Sequence, residues 1–420
     1  MNSRHPFLLP MVLAVTAAAT VMAAEDSAPS GFKRSQLDLF YWSEGAAFGD
    51  LDKDGIPDVI SGPYWWKGPQ FKQRHEFYPA QATFDTVDGS GNAITYPGYP
   101  GALGRGSAYS EDNFLPFVHD FSGDGWNDVL IIGRPGAPAH IYINPKGRPG
   151  PWARHAVLDG VDNESPTLAD VTGDGRPEII CSHKGDVGYA EYDPRNPTKP
   201  WQFRAVSKGE NWHRFSHGLG VGDIDGDGRQ DIVLQNGWYQ QPKSLAGQPL
   251  WPKHEFTFSA GGGATSVGGG AQMLVYDVDG DGLNDVITSL YAHGYGLAWY
   301  QQVRDASGIT FKQHIIMTDT GWGRAGGAVG VNFSQLHALA LADMDGDGLQ
   351  DIVTGKTFWA HGRHGDPGSQ DPAVVYWFRL VRSAGGVTWQ PQLIDSSAGI
   401  GRRIDVADVN GDGRPDIISG

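Results

Sequence analysis

Short apolar runs recur along the chain, and pairs of them bracket a nine-residue polar loop. Leu219-Gly220-Val221-Gly222 and Asp231-Ile232-Val233-Leu234 flank one loop; Ala338-Leu339-Ala340-Leu341 and Asp351-Ile352-Val353-Thr354 flank another. Runs this short, rich in small and β-branched residues, predict strands. An aromatic third run often follows, as in Tyr64-Trp65-Trp66, Leu297-Ala298-Trp299-Tyr300 and Val374 to Phe378. A fourth carries an aromatic and then a basic or His residue, as in Phe71 to His75, Trp152 to His155, Trp251 to His254 and Phe311 to His314. Four strands at a period of roughly 50 to 70 residues predict propeller blades, because each small sheet can bury its faces only against its neighbours.

The polar loop carries the repeat's chemistry. Its fullest form places carboxylates at the first, third, fifth and ninth positions: Asp223, Asp225, Asp227 and Asp231. Asp50, Asp52, Asp54 and Asp58 repeat it, as do Asp277, Asp279, Asp281 and Asp285, and Asp343, Asp345, Asp347 and Asp351. Three further loops substitute an oxygen donor: Asp120, Ser122, Asp124 and Asp128; Asp170, Thr172, Asp174 and Glu178; Asp408, Asn410, Asp412 and Asp416. Such oxygens can converge on a hard cation, with a seventh-position carbonyl added and a glycine such as Gly228 permitting the turn, which predicts up to seven Ca²⁺. An EF-hand is excluded, because position twelve of the Asp223 loop is Leu234 rather than Glu and the flanks read as strands. Seven loops predict an all-β fold, a seven-bladed β-propeller with a calcium loop between the first and second strands of each blade.

Gly31 to Asp38 reads as a fourth strand with no blade before it, placed to complete the last blade and join the ring. That last blade begins at Arg402, and the chain stops at Gly420 after its second strand. A truncated chain and a short last blade both account for the missing third strand.

Residues 1–24 predict a secretory signal, with Arg4 ahead of an apolar core from Phe7 to Val21 and small residues at the cleavage site. Residues 25–420 then form a single propeller, secreted or periplasmic, with no membrane span. Cys181 is the sole cysteine, so stability must come from metal and core packing. Sixty Gly, 27 Pro and 14 Trp fit many short strands and tight turns. The formal charge of −16 is accounted for mainly by the loops, and no basic surface for nucleic acid is present.

The loops of form Asp-x-Asp-x-Asp-Gly-x-x-Asp, preceded by Phe48-Gly49 or Val221-Gly222, resemble FG-GAP/VCBS repeats, the blades of integrin-α-type propellers. The resemblance covers nearly all of residues 25–420 and implies calcium on the bottom face of each blade. It implies little about activity, since such propellers occur in adhesion proteins, lectins, lyases and secreted bacterial proteins. The propeller part of aldos-2-ulose dehydratase is also similar to this arrangement, although no cupin domain is visible.

If the loops end the innermost strands, those strands begin about six residues earlier, at Glu44, Phe114, Glu164, His217, Ala271, His337 and Arg402. Five of these seven are ionisable, and His183, His213, His293, His361 and His364 fall on the same rim. Imidazole and carboxylate donors suit Zn²⁺ or Mn²⁺, so Glu164, His217 and His337 are the candidate ligands of a second metal. His213 or Tyr109 is the candidate base, and Arg402 and Arg214 the groups that hold an anion or carbonyl. Bland roles compete: the rim residues can simply link blades, and His75, His155, His254 and His314 share one fourth-strand position that fits packing.

Rim insertions add sugar-binding chemistry. Residues 85–112 hold Tyr96, Tyr99, Arg105, Tyr109, Glu111 and Asp112, and residues 355–372 hold Lys356, Trp359, His361, Arg363, His364 and Asp366. Aromatic faces beside carboxylates hold sugars well, so a carbohydrate is the expected partner. Gly261 to Gly270 lacks the strand, helix and Lys of a phosphate loop and reads as a flexible rim loop. Two classes follow: an exported lyase or dehydratase working in the channel mouth, and a non-catalytic adhesion propeller that binds a glycan or protein.

Overall fold

The seven acidic loops each join two antiparallel strands, and these pairs fix the architecture. The structure is a computed structural model that describes residues 31–420, apart from 88–89, 102–109, 111, 260–268, 307, 319–328, 359 and 363. Six four-stranded sheets follow one another as blades, each ordered first to fourth strand as the chain runs. The first strands are Ala46–Gly49, Leu115–His119, Asp162–Ala169, Leu219–Gly222, Leu274–Tyr276 and Leu339–Ala342. They lie innermost and pack on one another around a ring. A two-stranded sheet, Ile404–Ala407 paired with Asp416–Ser419, sits between the sixth blade and the first. The fold is an all-β propeller, with no α-helix among the described residues.

Small residues on the inner strands let neighbouring backbones touch. A Cβ on Gly220 would stand 1.7 Å from the Met273 carbonyl, and one on Gly222 would stand 2.3 Å from the Val275 side chain. The large side chains instead fill the space between blades. Ile224, Val233, Trp238 and Phe258 of blade 4 pack against Met273, Val286, Tyr300 and Phe311 of blade 5. Fully burying one such side chain contributes on the order of 2–3 kcal/mol.

The repeated fourth-strand histidines serve packing, as expected, in three blades. His75 stacks on Trp65 at 4.1 Å, His254 on Trp238 at 4.2 Å and His314 on Trp299 at 4.3 Å. His155 stands opposite Ile141 and has no tryptophan to cover.

The N-terminal segment departs from expectation. Residues 32–38 form no strand, yet they occupy the seam between the last sheet and the first blade. Phe32 packs with Ile394, Ile404 and Ile417, Leu37 packs with Val59, Val409 and Ile418, and Arg34 pairs with Asp395 at 3.6 Å. Among the described residues no strand lies between Asp416–Ser419 and this segment, so its backbone has no ladder to join. Apolar anchoring seals the seam instead. The insertion at residues 85–112 contributes a hairpin, Thr83–Val87 paired with Ala93–Pro97.

Candidate metal centre

Each acidic loop is held shut by its own carboxylates. In blade 4, Asp223 accepts N–H groups from Gly226, Asp227 and Gly228 at 2.8, 3.0 and 2.9 Å. Gly226 and Gly228 take φ of +76° and +87°, a turn that L side chains resist. The buried Asp231 accepts from Ile224 at 2.9 Å and from Gln241 on the third strand at 2.8 Å, tying the loop to its blade. Asp58, Asp285 and Asp351 do the same in their blades.

The loops fit a hard cation. Ligand atoms of Asp50, Asp52 and Asp58 lie within 4.8 Å of one another, as do those of Asp170, Asp174 and Glu178 and those of Asp223, Asp225 and Asp231. Burial, with like charges beside them, pushes Asp58, Asp128, Asp231 and Asp351 up to about 6 and Glu178 and Asp285 up to about 7. Such carboxylates would ionise more readily beside a cation.

The opposite ends of the inner strands converge on a second cluster. Glu164, His217, His293 and His337 offer ligand atoms that all lie within 4.8 Å of one another. Their backbones are fixed by the neighbouring blade: Glu164 N donates to the Ser216 carbonyl at 2.9 Å, and Gln335 N donates to the Gly294 carbonyl at 2.8 Å. Positive φ at Asn163 (+78°) and Gln335 (+61°) bends the chain just ahead of Glu164 and His337 and turns these side chains inward.

Inside the cluster, His217 Nε2 lies 3.3 Å from Glu164 Oε2, and His337 Nε2 lies 3.4 Å from His293 Nε2. The rings of His217 and His293 meet edge to face at 4.9 Å, and those of His293 and His337 at 4.4 Å. His217 and His337 are only 1% and 2% exposed. His337 Nδ1 faces the Gln335 carbonyl at 3.4 Å and Thr357 Oγ1 at 3.2 Å. His293 Nδ1 faces Asp366 at 3.5 Å, and Asp366 also accepts from the ring and the backbone N–H of His361, each at 3.0 Å. His361 stacks on His293 at 4.3 Å and reaches the surface.

Charge is distributed unevenly here. Burial favours the neutral form of Glu164, but Arg402 at 3.1 Å and His217 outweigh it and hold this carboxyl well below the usual range. Burial raises Glu44, which Arg402 approaches only to 4.0 Å. Burial pushes His293 down to about 4 against the pull of Asp366, which keeps the ring neutral. Below the cluster lies a cavity of about 160 Å³ lined by residues that include Gln272, Arg403 and Asp405. Gln272 crosses it, donating to the Arg402 carbonyl at 3.1 Å and accepting from Leu339 N at 2.8 Å.

The ligand trio expected from the sequence therefore comes together, and His293 joins it. Arg402 arrives as well, but as the buried counter-ion of Glu164, with its guanidinium over the Phe114 ring, rather than as an open anion holder. His213 and Arg214 do not arrive: both are exposed, because the turn closed by Ser216 N on the His213 carbonyl points them outward. His183 bonds the Gly160 carbonyl at 2.6 Å, and His364 meets Gln370 at 3.0 Å. Lys356 is buried and donates to the carbonyls of Thr357, Phe358 and Ser369, which folds the insertion around it. Tyr109, Arg105, Glu111, Trp359, Arg363, most of the Gly261 to Gly270 run and residues 1–24 lie outside the described residues.

Residues 120–181 and 343–419 match the family model of the FG-GAP-like repeat. Two stretches of the chain thus match the FG-GAP-like repeat. Rhamnogalacturonan exolyase YesX of Bacillus subtilis (strain 168) is 24% identical to this chain over 286 residues, covering 61% of this chain and 41% of that protein. The chain thus spans about two fifths of the length of the curated relative it matches. Among solved structures, an Agrocybe aegerita lectin that recognises non-reducing terminal N-acetylglucosamine is 16% identical with a TM-score of 0.46, over 89% of this chain and 85% of the lectin. The exotype rhamnogalacturonan lyase YesX is 16% identical with a TM-score of 0.43, over 89% and 69%. Among the described residues no helix is long and apolar enough to cross a membrane.

Proposed function

We propose that this chain is an exported seven-bladed propeller, residues 25–420 after a signal of residues 1–24, whose acidic loops bind Ca²⁺ and whose central cluster binds one Zn²⁺ or Mn²⁺ in the service of carbohydrate chemistry. The two-stranded sheet and the anchored N-terminal segment count as the seventh blade. The observation that carries the metal reading is the pair His293 and His337, whose Nε2 atoms face each other at 3.4 Å while Asp366 stands 3.5 Å from one Nδ1 and the Gln335 carbonyl 3.4 Å from the other. With the protons on both Nδ1 atoms the facing lone pairs repel, and a cation drawn between them and Glu164 turns repulsion into ligation.

A bound metal of this kind would polarise a carbonyl or steady a developing oxyanion, as β-elimination from a sugar acid or dehydration of a sugar requires. The chain's own groups supply the rest. Glu164, His217, His293 and His337 hold the ion, Arg402 keeps Glu164 ionised, and His361 stands where the cluster meets solvent. The likeness to rhamnogalacturonan exolyase YesX supports a polysaccharide as substrate. In this reading Tyr109 of the 85–112 insertion remains a candidate base.

Near-complete burial of His217, His337 and Arg402 favours a second reading, a non-catalytic adhesion propeller whose metal locks the blades and whose rim binds a glycan or protein. Elemental analysis of the purified mature protein tests the metal. About one equivalent of zinc or manganese besides calcium, lost in a His217→Ala/His337→Ala variant, supports the proposal; calcium alone refutes it. Cleavage of a pectic polysaccharide by the loaded protein then selects the first reading over the second.

A further inference from the structure

One position of each blade faces its acidic loop from the third strand, next to the residue paired with the start of the second strand. Register identifies it as Lys67 in blade 1, Ile143 in blade 2, Glu191 in blade 3, Gln240 in blade 4, Gln301 in blade 5 and Arg379 in blade 6. The charge at this one position runs from positive to negative around the ring, although the loops it faces are nearly the same.

The side chains differ in what they do to the loop. Lys67 Nζ contacts the third-position Asp52 and lies 2.5 Å from the fifth-position Asp54. Arg379 repeats this, with Nε 2.5 Å from Asp345 and an NH2 nitrogen 3.2 Å from Asp347. In blades 4 and 5 the side chain is a neutral amide: Gln240 donates to Asp225, and Gln301 donates to Asp279 at 2.6 Å. The fourth-strand histidine secures each amide, His254 on Gln240 at 3.0 Å and His314 on Gln301 at 3.1 Å.

Other basic residues touch the loops less completely. Lys146 reaches only the fifth-position Asp124, at 3.0 Å, and Arg176 and Arg229, which belong to the loops themselves, touch only Asp174 and Asp227. Only Lys67 and Arg379, among the described residues, bridge the third and fifth carboxylates together. Those are two of the four side chains a calcium ion would need, and a divalent ion placed among them would meet a positive charge at contact distance.

We infer that Lys67 and Arg379 take the place of calcium in blades 1 and 6, so that these loops are closed by the chain's own cations while the glutamine-bearing blades 4 and 5 bind the ion. This rests on the calcium reading of the loops and refines it. The Asp50 loop keeps ligand spacing, yet in it and in the Asp343 loop a basic side chain stands on the third and fifth carboxylates, so occupancy around the ring is uneven by construction.

The test is calcium stoichiometry of the full chain, stripped with chelator and titrated calorimetrically with Ca²⁺ alone. The wild type is expected to bind fewer than seven ions, and Lys67→Gln/Arg379→Gln to bind about two more. The converse variant, Gln240→Lys/Gln301→Arg, is expected to bind about two fewer. Seven ions in the wild type, or unchanged stoichiometry in both variants, would overturn the assignment while leaving calcium binding intact. A wild type that takes up no calcium would overturn the calcium reading itself, and this assignment with it.

Discussion

His293 and His337 present their Nε2 atoms to each other across 3.4 Å in the interior of the ring, one anchored by Asp366 and the other by the Gln335 carbonyl and Thr357. They come from different blades, so their approach depends on the closed ring. Protons on both Nδ1 atoms, toward these anchors, would leave the inward nitrogens as acceptors, the arrangement that a metal-ligating histidine requires of its surroundings.

Asp366 should therefore matter to the metal without touching it. Asp366→Asn is expected to weaken zinc or manganese binding by about 10- to 100-fold while the fold stays intact. Competition with a chromophoric chelator measures this, and unchanged affinity would contradict the orienting role.

Asp231 should matter even without calcium. Asp231→Ala removes the acceptor of two backbone N–H groups, from Ile224 and Gln241, in a buried setting. The expected loss is about 2–4 kcal/mol in urea unfolding of chelated protein. A loss seen only with calcium present would show that the carboxylate serves the ion alone.

Lys356 provides a pH signature. Burial pushes its ammonium down to about 8, against Asp371 and Asp366. Between that value and the unfolded value near ~10.4 the unfolded chain binds more protons, so stability rises with pH across this window and is lost as pH falls through 8. The expected size is on the order of 3 kcal/mol. Lys356→Met should flatten this slope in denaturation curves, and an unchanged slope would refute the assignment.

The stacked pairs offer a surface test. His254→Ala exposes the face of Trp238 and frees Gln240, and should cost about 0.5–1.5 kcal/mol. His155→Ala, with no tryptophan opposite, should cost less. Equal losses in thermal unfolding would remove the stack as the cause.

The rim ends of the inner strands were readable because each lies six residues ahead of its loop. Stepping back about six residues from each loop reaches Glu164, His217, His337 and Arg402, and the structure brings all four together. His293 and Asp366 escaped that rule because they lie on connections after second strands, whose path no periodicity determines. His213 and Arg214 point outward because they lie in the four-residue turn from His213 to Ser216 that leads into the inward His217. The strand expected at residues 31–38 failed because strand formation depends on a partner edge, while its Phe32 and Leu37 still found the apolar seam. Arg402 was legible as a rim cation, but its pairing with Glu164 is a tertiary fact.

Anomalous diffraction from crystals of the purified protein, with data on both sides of the zinc and manganese absorption edges, tests the central claim most directly. The account predicts one peak among Glu164, His217, His293 and His337, about 2.0–2.2 Å from their ligand atoms. Crystals grown with added zinc and manganese that show no such peak, with His293 and His337 turned apart, would contradict it.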